Sequence, residues 1–368
     1  MHIAFRTDAS LQIGTGHVMR CLTLADALRE RGAQSTFICR PHAGHLQNLI
    51  HQRGHSATAL APADDAFTAP TDPSHAQWLG TDWARDAEQT RQALGGQVVD
   101  CLVVDHYALD RRWEQALRPH TRSILVIDDL ADRPHQCDLL LDQNLGRRPE
   151  HYNELVPPHC QVLTGSHYAV LRPEFSALRA YSMERRKTQP ALRQLLITMG
   201  GVDQPNATGK VLQVLKTCAL PRESRITVVM GLTAPWLESV KELAAQMPWP
   251  TAVVVNVNDM AQRMADSDLA IGAAGSTSWE RCCLGLPSIL VILADNQNSS
   301  CAELGAVGAA EIIGKLEHVE KRLPDQLSSF LAIPHSLKIC SDAASSICNG
   351  TGATFVVDEI LTCATSVH

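Results

Sequence analysis

Gly14-Thr15-Gly16-His17 places an imidazole where a short apolar strand gives way to a helix, close to the start of the chain. Glycine permits the backbone angles of a tight strand-to-helix turn and a close approach to ligand, and a helix start offers free N–H groups to an anion. The positive end of a helix disfavours imidazolium, so His17 reads as a neutral ring able to accept a proton. Its other readings are a helix cap or a packed core residue. A dinucleotide fingerprint is excluded on two counts: the third glycine would fall at Met19, and the second strand ends in Arg40-Pro41 where an NAD site wants an acid for the ribose.

The elements that must hold this residue follow from periodicity. Met1 to Thr7 reads as a strand, and Val18 to Arg31 as a helix with Val18, Cys21, Leu22, Ala25 and Leu28 on one face. Runs at Cys101–Asp105, Ser123–Asp128 and Leu139–Asp142, with a helix at Arg111–Leu117, predict a parallel sheet with crossover helices. The strands end in Asp105-His106-Tyr107, Asp128-Asp129 and Asp142-Gln143-Asn144, so these groups are expected to gather around His17. Asp128, Asp129 and Asp142 read first as turn or cap residues, and Tyr107 as either a substrate contact or packing.

From Arg147 to Pro190 the pattern loosens, with prolines and a charged turn at Glu184-Arg185-Arg186-Lys187, as expected of a joint between domains. A second alternation follows. Strands are predicted at Gln194–Thr198, Arg225–Met230, Thr251–Val255, Leu269–Gly272 and Ser288–Leu293, and helices at Ala207–Thr217, Pro235–Gln246, Met260–Asp266 and Ser278–Leu284. The expected architecture is α/β, with Rossmann-like doubly wound domains at residues 1–175 and 190–350 facing each other across a cleft. The stretch from Pro62 to Pro73 reads as an irregular, mobile surface segment.

Length and composition bound the rest. The 368 residues suffice for two domains with their own cores, and a net charge of -7 with no basic run argues against a nucleic-acid surface. The 12 cysteines show no C-x-x-C pair and read as free thiols of a cytoplasmic protein, with no zinc spacing. His42, His45, His51 and His55 cluster without a carboxylate between the last two, which reads as a solvated surface and not a metal site. Arg6 and Asp8 interrupt any signal-peptide core, and the apolar stretch Ser288–Ala294 is too short to span a bilayer. No membrane association is expected, and a monomer is the default.

A second ligand site is legible in Gly272-Ala273-Ala274-Gly275-Ser276-Thr277-Ser278-Trp279-Glu280, a small-residue turn able to cradle a diphosphate. Glu280 lies about one turn into the next helix, where its carboxylate can accept bonds from a ribose diol. Thr277-x-x-Glu280 is equally a capping box. Met199-Gly200-Gly201-Val202-Asp203 and Ala294-Asp295-Asn296-Gln297-Asn298 are expected to open onto the same crevice, with Asn206 as a phosphate contact or a helix cap.

The glycine turn with Thr-Ser-Trp-Glu, Gly285-Leu286-Pro287 and Asp295-Asn296-Gln297 resembles the UDP-binding half of MurG-type glycosyltransferases of GT-B fold. Arg6-Thr7-Asp8-Ala9-Ser10 with Gly14 to Cys21 resembles the hydrolases that remove UDP from UDP-2,4-diacetamido-2,4,6-trideoxy-β-L-altropyranose in pseudaminic acid biosynthesis. Val103 to Tyr107, Ile127 to Ala131, Asp142-Gln143-Asn144 and Tyr168 to Phe175 support it. The likeness runs from Met1 to about Leu304; Asn349-Gly350-Thr351-Gly352 departs from the expected Asp-Gly pair.

This resemblance implies hydrolysis with inversion at the anomeric carbon, without metal or other cofactor, and gives His17 the role of proton acceptor for water. It also implies that Glu280 holds the ribose, that Asn296 contacts diphosphate or sugar, that Tyr107 reaches the sugar and that Arg20 orients a carboxamide or phosphate. The remaining binding candidates are Gly14, Gly16, Arg172, Gly200, Gly201, Asn206, Met260, Gly275, Ser276 and Gln297. The competing expectations are a glycosyltransferase with a sugar or lipid acceptor, and a UDP-sugar-binding protein without turnover.

Overall fold

Continuous apolar runs such as Leu102-Val103-Val104 and Ile124-Leu125-Val126 suit strands covered on both faces, and all of these side chains are buried. In the computed structural model, which describes residues 1–64, 66–188, 191–333 and 335–366, they build two all-parallel sheets. The first has strands β1 (His2–Thr7), β2 (Gln34–Cys39), β3 (Ser56–Ala59), β4 (Val99–Asp105), β5 (Thr121–Ile127), β6 (Leu139–Asp142) and β7 (Gln161–Thr164). Their order is β3-β2-β1-β4-β5-β6-β7, so the winding reverses between β1 and β4. Register sets Thr7 beside Asp105, which brings the carboxyl ends of these two strands level.

The second sheet repeats the plan with β8 (Gln194–Thr198), β9 (Arg225–Met230), β10 (Thr251–Val255), β11 (Leu269–Ala273), β12 (Ser288–Ile292) and β13 (Glu311–Lys315). Its order is β10-β9-β8-β11-β12-β13, and the reversal lies between β8 and β11, where Thr198 pairs with Gly272. In doubly wound sheets, ligands bind beyond the strand carboxyl ends at such reversals. Each sheet therefore offers one crevice of this kind.

The chain divides into two compact units, Met1–Val170 with Thr351–His368, and Leu171–Gly350. Pro190, taken from the sequence as the start of the second domain, lies outside the described residues. The helix Gly16–Glu30 buries the five apolar residues predicted for it, Val18, Cys21, Leu22, Ala25 and Leu28. They pack in one core with Phe5, Val103, Val356 and Ile360, so the C-terminal helix Gly352–Ser366 completes the first unit. Full burial of each Val, Leu, Ile or Phe side chain among them contributes roughly 1.5–3 kcal/mol.

Two expectations are corrected. The helix begins at Gly16 and not at Val18, so His17 lies within its first turn. Only Gly14, at φ 82°, uses the left-handed backbone that favours glycine. The region Arg147–Pro190 contains the division between the two units, after Val170, but its pattern is not irregular throughout, because Pro173–Thr188 is a helix, with Pro173 at the helix start where no amide is missed. Its charged residues were read as a turn, yet Arg186 is buried and donates to the carbonyls of Met264, Ser267 and Leu284. It thereby satisfies the open carboxyl ends of the helices Met260–Asp266 and Thr277–Cys283.

Candidate active site

His17 meets Asp105 at the reversal of the first sheet. The ring stands on the helix that follows β1 and the carboxylate ends β4, and Nδ1 lies 2.6 Å from Asp105 Oδ1. Burial alone pushes a carboxyl up, but the Arg20 guanidinium and the His17 ring outweigh it and hold Asp105 well below the usual carboxylate range. An ionised carboxylate only accepts, so the His17 Nδ1–H donates to it and the basic nitrogen is Nε2. Among the described residues, Nε2 takes part in no hydrogen bond.

Arg20 follows one turn later on the same helix face. Its Nε and one terminal nitrogen grip both oxygens of Asp105 at 2.6 and 2.7 Å, and the other terminal nitrogen donates to Asp129 at 2.5 Å. Its donor groups are directed to carboxylates, and it fixes Asp105 with a bidentate fork. Tyr107 is likewise engaged. Its hydroxyl donates to Asp129 at 2.8 Å, and its ring packs edge-on against His17 with centroids 4.6 Å apart. Burial, with Asp129 beside it, pushes the Tyr107 phenol well above its ordinary value, so it remains a donor. In this geometry Tyr107 packs against His17 and is anchored by Asp129.

The expected gathering of strand-end groups occurs in part. Asp105, Tyr107 and Asp129 converge on His17 and Arg20, and Asp129 is no turn residue. Asp128 does serve a turn, accepting from the amides of Leu130 and Ala131 and pairing with Arg133. Asp142 accepts from Asn144 N and from the Tyr152 hydroxyl and pairs with Arg147, away from the imidazole.

Sequence reading missed two aromatics. Trp78 stacks on Tyr107 with centroids 5.7 Å apart, and His75 stands edge-on to Trp78 at 4.5 Å, so the imidazole has an aromatic wall. Trp78 also borders a cavity of about 220 Å³ lined by Ser10, Gln12, Ile13, Asp64 and Phe67. The irregular stretch Pro62–Pro73, which includes Asp65 outside the described residues, contributes to its rim. No periodicity marks this stretch, and that is why it carried no signal.

In the second unit the turn after β11 exposes Ser276 and partly exposes Gly275, and the Gln297 amide nitrogen is 3.8 Å from where a Cβ on Gly275 would stand. Gln297 is fixed there because its Oε1 accepts from Leu293 N at 2.9 Å, while Asn296 is exposed. The predicted capping box does not form: Ser276 is the N-cap, and no side chain caps the helix Thr277–Cys283. The Glu280 carboxylate accepts no hydrogen bond from the described residues, and the Arg172 guanidinium lies 3.8 Å away. Burial pushes the Glu280 carboxyl up, with Arg172 opposing.

Other candidates are placed less favourably for a ligand. The Asn206 side chain accepts from Gly209 N at 3.1 Å and is a helix cap, with Asp203 capping the same helix through Ala207 N and Thr208 N. Gly200 adopts φ 93° in the turn after β8, beside Gly201, and Met260 is a half-buried residue opening a helix after β10. Among the described residues no group of three or more His, Cys, Asp or Glu side chains is arranged to hold a metal, and no helix is long and apolar enough to cross a membrane.

With the geometry in view, comparison places the chain among known proteins. The model of the glycosyltransferase family 28 C-terminal domain matches residues 195–350. UDP-2,4-diacetamido-2,4,6-trideoxy-beta-L-altropyranose hydrolase of Campylobacter jejuni is 24% identical over 308 residues, 84% of this chain and 97% of its own. The spore coat polysaccharide biosynthesis protein SpsG of Bacillus subtilis is 23% identical over 90% of this chain and 89% of its own. Among solved structures, Acinetobacter baumannii MurG superposes with TM-score 0.69 at 18% identity, covering 98% of this chain and 99% of that one. The resemblance read from the motifs is thus borne out: this is an α/β chain of GT-B fold whose residues 195–350 match the glycosyltransferase family 28 C-terminal domain model, and it is similar to the altropyranose hydrolase and to MurG.

Proposed function

We propose that the protein is a UDP-sugar hydrolase that cleaves UDP from UDP-2,4-diacetamido-2,4,6-trideoxy-β-L-altropyranose, with inversion and with water as acceptor. The single observation that carries this reading is the His17–Asp105 pair at 2.6 Å, which commits Nδ1 and leaves Nε2 to take a proton from water. UDP is a good leaving group, so the reaction asks for a base on the attacking side and stabilised diphosphate charge, with no second carboxylic acid to protonate the departing oxygen. The nucleotide is assigned to the second unit, with Gly275, Ser276 and Gln297 at the diphosphate and Glu280 at the ribose.

Glu280 supplies a first prediction. A carboxylate accepts from both ribose hydroxyls, whereas an amide has one acceptor oxygen, so Glu280→Gln is expected to weaken UDP binding about tenfold by calorimetry. Because burial raises the Glu280 carboxyl, its protonation on acidification begins at a higher pH than for an ordinary glutamate near 4.3. Protonation of the UDP phosphate is common to both proteins, so wild-type UDP affinity should decline more steeply than the variant's as the pH is lowered toward that range. An equal decline in both would remove Glu280 from the nucleotide site.

The competing reading is a glycosyltransferase, favoured by the family 28 match and by the likeness to MurG. Purified protein incubated with the diacetamido nucleotide sugar alone separates the two. Rapid UDP release in the presence of a chelator is the hydrolase result; release only after a sugar or lipid acceptor is added is the transferase result.

A further inference from the structure

Arg281 is the one residue of the Gly272–Glu280 neighbourhood whose charge the reading above leaves unused. It is 1% exposed, and one terminal nitrogen donates to Ala273 O at 2.7 Å and Ser278 Oγ at 3.0 Å. Its Nε and its other terminal nitrogen are buried without any partner. Among the described residues no carboxylate pairs with it, in contrast to the buried Arg6, Arg20 and Arg133, each held by aspartates. Burial lowers its pKa, but only to about 10, so the guanidinium is charged at neutral pH.

A buried cation with no carboxylate in ion-pair contact, only the field of the neighbouring Glu280, is costly to a fold, and the structure makes room for it specifically. A Cβ on Gly272 would stand 2.5 Å from the unpartnered terminal nitrogen and 2.9 Å from Thr198 O. Gly272 and Thr198 are register partners on β11 and β8, so the free charge sits at the carboxyl edge of the sheet where the winding reverses. That is the position at which such a sheet receives its ligand, and the turn that Arg281 braces, Ala273 to Ser278, is the turn assigned to the diphosphate.

We infer that Arg281 is a positioning residue for a nucleoside diphosphate: it fixes the Ala273–Ser278 turn and supplies from beneath it the positive charge that the bound diphosphate neutralises. This rests on the nucleotide reading of the second unit. In a low-dielectric setting an unpaired charge acts on a nearby anion without touching it, so no direct contact is required.

The test compares UDP with uridine, which shares base and ribose but lacks phosphate, on the full chain by calorimetry and ligand-observed NMR. Arg281→Gln is expected to reduce the UDP-to-uridine affinity ratio about tenfold, with uridine binding changed less than about twofold. Arg281→Lys keeps the charge but not the planar fork, and should hold the ratio within about threefold of wild type. Equal losses for UDP and uridine, or a lysine variant as impaired as the glutamine one, would mean a scaffold role only and overturn the inference. A wild type that binds UDP no better than uridine would overturn both the inference and the nucleotide reading. A wild type that prefers UDP, with the preference intact in Arg281→Gln, would overturn the inference alone.

Discussion

His17→Ala is expected to lower kcat for UDP release about 10³-fold while leaving UDP affinity within about twofold of wild type. The split follows from what the ring touches. His17 Nδ1 is spent on Asp105 and the ring packs against Tyr107, so under the proposed hydrolysis the imidazole serves proton transfer and not the holding of the nucleotide. An interaction made only in the transition state shows in kcat, and one made equally with the ground state shows in KM. A His17→Ala enzyme with unchanged kcat and a raised KM would reassign the ring to binding.

Asp105→Asn is expected to cost about 10²-fold or more in kcat, for a reason of hydrogen-bond geometry. The carboxylate of Asp105 accepts from the Nδ1–H of His17, from two nitrogens of Arg20 and, at 3.5 Å, from the Cys21 thiol. The Arg20 fork spans both oxygens, so an amide sets its NH2 against one Arg20 nitrogen in either orientation, and with the NH2 in the Oδ1 position it also faces His17 Nδ1. The ring then has to accept at Nδ1 and carry its proton on Nε2, where the base is needed. The double variant with His17→Ala should be no slower than His17→Ala alone, because Asp105 acts through the imidazole. Since Arg20 and His17 hold Asp105 well below the usual carboxylate range, the carboxylate stays ionised through neutral pH. The same pairing adds stability above the unfolded carboxyl value near 3.9, which is lost as the pH falls below it.

What could be read in advance was whatever rests on local pattern. Strands β6, β8, β9 and β10 and the helices Arg111–Leu117 and Met260–Asp266 begin and end where periodicity and punctuation place them. His17 and the Gly272–Glu280 turn stood out because glycine and small residues at a strand end have few structural reasons to be there. Partnership was less legible. Arg20 and Tyr107 look like substrate contacts because polar groups near a strand end point to a crevice, yet their donors are claimed by Asp105 and Asp129, 85 and 22 residues away. Arg186 looks like part of a solvated turn, and only its contacts reveal it capping two helices.

Arg6 and Asp8 show the same limit from the other side. In the fold both are fully buried, paired with each other at 2.7 Å. Arg6 also pairs with Asp86, as does Arg40. Long-range charge pairing leaves no periodic trace, so a sequence shows that such groups exist and not whom they meet.

The central claim, that water activated by His17 attacks the sugar's anomeric carbon, is tested most directly by turnover in heavy-oxygen water with mass analysis of the released UDP. Attack at carbon leaves the diphosphate oxygens untouched, so the account predicts UDP of ordinary mass under acceptor-free turnover. Label in the terminal phosphate of UDP would place the attack at phosphorus and contradict it.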